Sequence, residues 1–361
     1  MPAVRFSAFV IGCMVALAPA LAAELPGDSV GRKLEEHMEA QIRNQHFRGT
    51  VLVAQNERML LARGYGFANE EWQTANTLHT KFRIGSLTKQ FTATLIMQLR
   101  EARRLDLQDS ICRHLQPCAE EWKPVTLHHL LSHSSGIPGY IASPPWTAEQ
   151  IAASYRGKPL EFSPGTQWKY SDWGFCLLGL VIEKITGTSY EQALRTRILD
   201  PLEMHETGYD HSEKILKDRA AGYRRVGNDL ANAEYIDMRP VYSAGALYST
   251  AADLYKWDRA LYSNAILPRS ALDLMWKDHM ANTGYGWFVS QPAPGAQPAW
   301  WAVPGRFEVA HTGAINGFTA EFLRLPDDRI TVIVLSNLEN AGIVAPYLAA
   351  IVLGQEFKMP K

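Results

Sequence analysis

A chain of 361 residues, 47% of them hydrophobic, is long enough for one large domain or two interleaved ones around a substantial core. Its 36 Lys and Arg against 37 Asp and Glu leave a formal net charge of -1, and no basic stripe carries interleaved aromatics, which argues against a nucleic-acid partner. Beyond the first residues no segment is apolar for long enough to span a bilayer; the best, 343–353, is broken by Pro346, followed by Gly354, and reads as a terminal core helix.

The N-terminus, "MPAVRFSAFVIGCMVALAPALAAE", has a cationic start at Arg5, an apolar run from Phe6 to Leu17 and small residues at Ala20-Leu21-Ala22. It reads as a signal peptide over 1–22, cleaved after Ala22 or Ala23, with a periplasmic or secreted product. The lipobox-like Val10-Ile11-Gly12-Cys13 leaves lipidation at Cys13 as the alternative. Three cysteines follow. Cys112 and Cys118 can close a small disulfide or stay as thiols, whereas Cys176 lies in an apolar run and reads as a buried free thiol.

Residues 29–45 carry amphipathic helical spacing, and "GTVLVAQNERMLLARGYGFAN" reads as two strands around Gln55-Asn56-Glu57. Next comes "RIGSLTKQFTA", opening a helix whose residues from Gln90 to Leu99 include no charge and whose Leu87, Phe91, Leu95 and Leu99 are spaced by four. Such a helix is buried on most of its circumference. From Leu105 to about Asp237 the spacing is mostly helical, broken by "SSGIPGYIASPP" and "FSPGT". The last third returns to strands, "YGWFV", "FEVAHTG", "GFTAEFLRL" and "RITVIVLSN", with Pro326-Asp327-Asp328 as a turn, before a C-terminal helix. The order predicts an α/β (α+β) protein: one sheet domain built from 24–104 and 238–361, interrupted by an all-helical domain over 105–237.

Three motifs carry possible chemistry. Ser86 either caps its helix or is a nucleophile, with Lys89 one turn on along the same face. Burial and the helix's positive end both disfavour an ammonium there, which predicts a Lys89 able to act as a base near neutral pH. Tyr170, ahead of an apolar helix that starts at Ser171 or Asp172, is either a packing residue or a proton carrier, and Asp172 suits an N-cap. In "VAHTGAINGF", His311-Thr312-Gly313 ends a strand; the glycine would let a substrate backbone lie against the edge, and the Ala314 amide could help hold an oxyanion.

Taken together and in this order, Ser86-x-x-Lys89, Tyr170-Ser171-Asp172 and His311-Thr312-Gly313 resemble the penicillin-recognising serine hydrolases. The nearest group holds class C β-lactamases, the D-alanyl-D-alanine carboxypeptidase with an H-T-G motif, D-aminopeptidases and β-lactamase-fold esterases. "TLHHLLSHSSGIPGY", "FSPGTQWKYSDWGFCLLGLVIEKITGTSY", "LYSTAADLYKW" and "GYGW" extend the likeness over about residues 30 to 355. The resemblance implies a β-lactamase/transpeptidase-like fold, an antiparallel sheet flanked by helices beside an all-helical domain, with the site in the cleft between. It implies Ser86 as the acylated nucleophile and Lys89 and Tyr170 as sharing its proton. It further implies an oxyanion hole from the amides of Ser86 and Ala314, substrate flanked by His311, Thr312 and Gly313, and a cleft lined by Gly139 and Tyr140. No metal or organic cofactor is implied, and the expected partner is a small-molecule or peptide substrate of a monomer.

Two departures bear on substrate. His311 stands where class C lactamases have lysine, which removes a fixed positive charge unless Thr312 or an arginine such as Arg306 supplies the anchor. Asp172 replaces the usual asparagine, and an ionised carboxylate only accepts hydrogen bonds. A substrate with a free amine, or a plain ester, then fits better than a penicillin. Among rivals, Ser132-His133-Ser134-Ser135-Gly136 lacks the first glycine of a lipase elbow, and His128, His129 and His133 lack the glutamate of a metal hydrolase. A non-hydrolytic sensor of cell-wall fragments is the rival from another class.

Overall fold

The computed structural model describes residues 29–44, 47–138, 147–154, 157–291 and 301–356. The signal-peptide and Cys13 readings, and the cleft positions Gly139 and Tyr140, lie outside the described residues.

After helix α1 (Ser29–Arg43) the chain forms β1 (Gly49–Gln55) and β2 (Arg58–Tyr65), joined through Asn56 and Glu57, both at positive φ (48° and 68°), the conformation that matches a two-residue turn to the twist of paired strands. Helices α2 (Thr88–Glu101), α3 (Asp172–Thr186) and α4 (Ala251–Ala260) follow. The chain returns to the sheet as β3 (Phe288–Ser290), β4 (Glu308–Ile315), β5 (Phe318–Leu325) and β6 (Ile330–Ser336), then ends in α5 (Ala345–Leu353). The six strands form one antiparallel sheet in the order β3-β4-β5-β6-β1-β2, so both ends of the chain build it.

The alternation within β1 explains the layering. Val51 and Val53 face α1 and α5 together with Leu323, Val332 and Leu348, while Leu52 and Ala54 face the opposite layer with Phe91, Trp257 and Phe322. Pro346 does not break α5: it sits in the first turn, where no N–H partner is needed, and Gly354 closes the helix in the left-handed region. In α2 every residue from Thr88 to Met97 is buried, Lys89 included, as the charge-free run from Gln90 predicts for most of it. Among the described residues no helix is long and apolar enough to cross a membrane.

The all-helical reading of 105–237 is too broad. Helical turns run to Leu199, but Tyr223–Val226 and Asp229–Asn232 form a hairpin, and Gly208–Tyr209 joins a small sheet with Phe82–Arg83 and Leu247–Ser249. The Gly227-Asn228 pair between the two hairpin strands is the turn signal in that stretch, with Gly227 at φ 63°. Cys112 and Cys118 are disulfide-bonded, and Cys176 is free and buried.

Candidate active site

Ser86 is not a helix cap. It lies within a single 3-10 turn, Gly85–Leu87, and α2 begins after it with no side-chain cap. That turn presses against β4 backbone to backbone. A Cβ on Gly85, which has φ 51°, would sit 2.9 Å from the Ala314 nitrogen; one on Gly313 would sit 2.0 Å from the Ile84 oxygen and 3.3 Å from the Ser86 nitrogen. Two glycines therefore let the strand and the turn interlock, which brings the amides of Ser86 and Ala314 to one place. The expectation that Gly313 makes room for substrate is corrected: the space is filled by the protein's own backbone.

Lys89 is fully buried. Its Nζ donates to Ser86 Oγ at 3.1 Å, Asp172 Oδ1 at 2.5 Å and the Ala244 carbonyl at 2.9 Å, three acceptors for the three N–H groups of an ammonium. Nζ also lies 4.9 Å from the centre of the Tyr170 ring. Burial disfavours the charge most strongly, but Tyr170 and Asp172 together outweigh it and hold Lys89 above the ordinary lysine range. In place of the expected neutral base, the charged form of Lys89 is the favoured one, through Tyr170 and then Asp172. Asp172 is not the N-cap of α3 either: Ser171 Oγ accepts the Gly174 N–H at 3.0 Å, which leaves the half-exposed Asp172 carboxylate for Lys89.

Tyr170 is seated on His133, ring centroids 4.5 Å apart and 24° from parallel. His133 Nδ1 accepts the Ser171 N–H at 3.0 Å, and its carbonyl accepts the Lys169 N–H at 2.9 Å, so this one residue orients the whole Tyr170-Ser171-Asp172 segment. An accepting Nδ1 places the imidazole proton on Nε2. Burial, and then the charge of Lys89, hold His133 well below the usual histidine range. Sequence reading places His133 in the lipase-elbow candidate, among possible metal ligands and in a stretch of the family likeness, and its positioning role has no local signal. The other two histidines point elsewhere: His128 Nδ1 meets Tyr285 Oη at 2.7 Å, and His129 Nδ1 accepts the Thr126 N–H at 3.1 Å. Among the described residues no cluster of three or more His, Cys, Asp or Glu could hold a metal ion.

His311 is buried, stacks on Phe288 at 4.8 Å, and donates from Nδ1 to the Thr312 carbonyl at 2.6 Å, which leaves Nε2 as an acceptor. Burial, and then Lys89, push it down to about 3, so it carries no charge at neutral pH. Thr312 and Ala314 are exposed. The pairing of β3 with β4 ends at Phe288 opposite Ala310, so among the described residues that edge of β4 is without a paired strand from His311 onward. Arg306 does not supply the missing charge, since it pairs with Asp328 at 3.2 Å. Ser86, Lys89, Tyr170, Asp172 and His311 thus converge. Ser132 and Ser134, on either side of His133, do not: they are buried and hydrogen-bonded to each other at 2.9 Å.

A family model described as Beta-lactamase matches residues 32–353. A protein of Bacillus subtilis (strain 168) named as a penicillin-binding protein is 28% identical over 320 residues, covering 86% of this chain and 78% of the relative. A teichoic acid D-alanine hydrolase of Staphylococcus aureus is 28% identical over 226 residues, covering 62% of this chain and 56% of that protein. Among solved structures, the octameric penicillin-binding protein homologue from Pyrococcus abyssi superposes with a TM-score of 0.80 at 28% identity, covering 91% of this chain and 78% of that one.

Proposed function

The chain is a serine hydrolase of the Beta-lactamase family, and we propose that it forms an acyl-enzyme on Ser86 with an ester or a D-amino-acid amide, in the periplasm or outside the cell. The carrying observation is the fully buried Lys89, whose Nζ lies 3.1 Å from Ser86 Oγ. Lys89 and Tyr170 act as a pair that holds one proton fewer than an ammonium plus a phenol, and this pair takes the Ser86 proton. Ser86 Oγ then attacks the carbonyl carbon, and the amides of Ser86 and Ala314 receive the oxyanion. Tyr170 returns the proton to the leaving oxygen or nitrogen, and in the second half takes a proton from water as it attacks the acyl carbon.

The substrate reading rests on charge. With His311 neutral and Arg306 paired to Asp328, neither residue offers a fixed cation to hold the carboxylate of a penicillin or a C-terminal D-alanine. Asp172 has no N–H to offer an acyl amide. The likeness to a protein named for hydrolysing D-alanine from teichoic acid supports a D-alanyl ester or related substrate.

Intact-mass spectrometry after exposure to a fluorescent penicillin, a short-chain ester and a D-Ala-D-Ala peptide tests the proposal. The expected result is rapid ester turnover with no persistent penicillin adduct, abolished by Ser86→Ala. Ester hydrolysis by Ser86→Ala at the parent rate would sink it, and a stable penicillin adduct would move the assignment to the peptidase side.

A further inference from the structure

Beside the site lies a cavity of about 530 Å³ whose lining includes His311 and Thr312. Its walls are aromatic, from Trp168, Phe288, Trp301 and Phe322, and it contains two carboxylates, Glu308 and Glu321, with no lysine or arginine among the described residues that line it. Glu321 has a structural role, since its two oxygens accept the N–H groups of Val344 and Ala345 at 2.9 and 3.1 Å and so cap α5. Glu308 does not fit that explanation. It is fully buried, and only Oε2 is engaged, by the Val303 N–H at 2.8 Å; Oε1 is buried with no partner.

A buried carboxylate with an idle oxygen is expensive unless a proton or a cation joins it. Among the described residues no Lys or Arg pairs with Glu308 or lines the cavity, and aromatic faces are the apolar surface that best tolerates a cation. We infer that this cavity binds an alkylammonium group carried on the leaving-group side of the substrate, with Glu308 as its counterion.

The side is set by the neighbours. The oxyanion amides lie at the Ala314 end of β4, whereas Tyr170, which protonates the leaving atom, lies 6.4 Å by ring centroid from both Phe288 and His311 in the cavity wall. Thr312, between the two ends, stands opposite Glu321 in the β4 and β5 register. The cavity meets the site at His311 and Thr312, and a leaving group that departs toward Tyr170 has to pass these two residues to enter it. Trp168 adds a buried indole N–H, also unpartnered, to which an oxygen of the same group can be the acceptor. Burial pushes Glu308 up to about 8 and Glu321 up to about 7, as expected for carboxyls without a cation nearby. The inference rests on the Ser86 acyl-enzyme reading and narrows its substrate class.

Two acetate esters of the same shape, acetylcholine and 3,3-dimethylbutyl acetate, differ only in the charge of the alcohol. The parent enzyme should prefer the charged ester in kcat/KM by about tenfold or more, a factor in the range of a desolvated cation–aromatic contact. Glu308→Gln should bring that ratio to about one. A parent ratio of one or less, or a ratio unchanged in a Glu308→Gln variant with the parent's melting temperature, overturns the inference. Calorimetric titration of choline into Ser86→Ala provides the test that needs no turnover: saturable heat supports the cavity, and its absence at millimolar choline refutes it. If neither ester is hydrolysed but choline binds, the acyl-enzyme reading fails and the cavity stands.

Discussion

Two buried cations in this protein, Lys89 and Arg324, show how the same costly feature can serve different ends. Arg324 on β5 and Asp258 on α4 are both fully buried, 2.5 Å apart, and Arg259 donates to the same carboxylate at 2.9 Å. The Arg324 guanidinium lies 4.5 Å from the ring centre of Tyr262 and 5.0 Å from that of Trp276, so the pair is closed off and ties helix to sheet. Lys89 is equally buried, but its partner Asp172 is half exposed, and one of its N–H groups is directed at a serine hydroxyl beside an unpaired strand edge. A closed ion pair fixes architecture. An ion pair with one side open to the cleft keeps a charge where a reaction can use it.

The sharpest way to break this contrast is to remove each charge in turn. Lys89→Met should lower ester kcat/KM by roughly 10² to 10⁴, the range for a lost acid–base partner. Its melting temperature should stay near or above the parent's, since an apolar chain of similar volume replaces a buried charge. Asp258→Ala should do the opposite. It leaves Arg324 and Arg259 facing each other without a counterion, destabilising the fold by about 3–5 kcal/mol in chemical denaturation, while the folded fraction keeps its kcat/KM. If Lys89→Met failed to fold, or Asp258→Ala melted like the parent, the two sites would not differ in the way described.

A smaller effect refines the open pair. Asp172 favours the charged form of Lys89, so Asp172→Asn lets the ammonium lose its proton at lower pH. The limb of the pH–rate profile on which activity falls as pH rises should therefore move to lower pH, with the sheet's thermal stability little changed. A limb that stays in place or moves upward would show that Asp172 does not set the charge of Lys89.

Much of this is legible along the chain. Alternation in "VLVAQ" and "RITVIVLS" locates the sheet, four-residue spacing marks α2 as buried, and Ser86, Lys89, Tyr170 and His311 stand out by residue type and spacing. Those features are local: strand and helix periods, and a serine and lysine one turn apart, are determined within a few residues. The protonation of Lys89 is not legible, because it depends on Tyr170 and on Asp172, 83 residues away, and its sign is a balance between burial and those two neighbours. The fit of Gly85 against Ala314, the seat of Tyr170 on His133 and the unpartnered oxygen of Glu308 are hidden for the same reason. Sequence alone determined which elements form and which side chains could react. Tertiary packing decided their charges, their partners and the shape of the space beside them, because desolvation and pairing depend on what distant segments bring within a few ångströms.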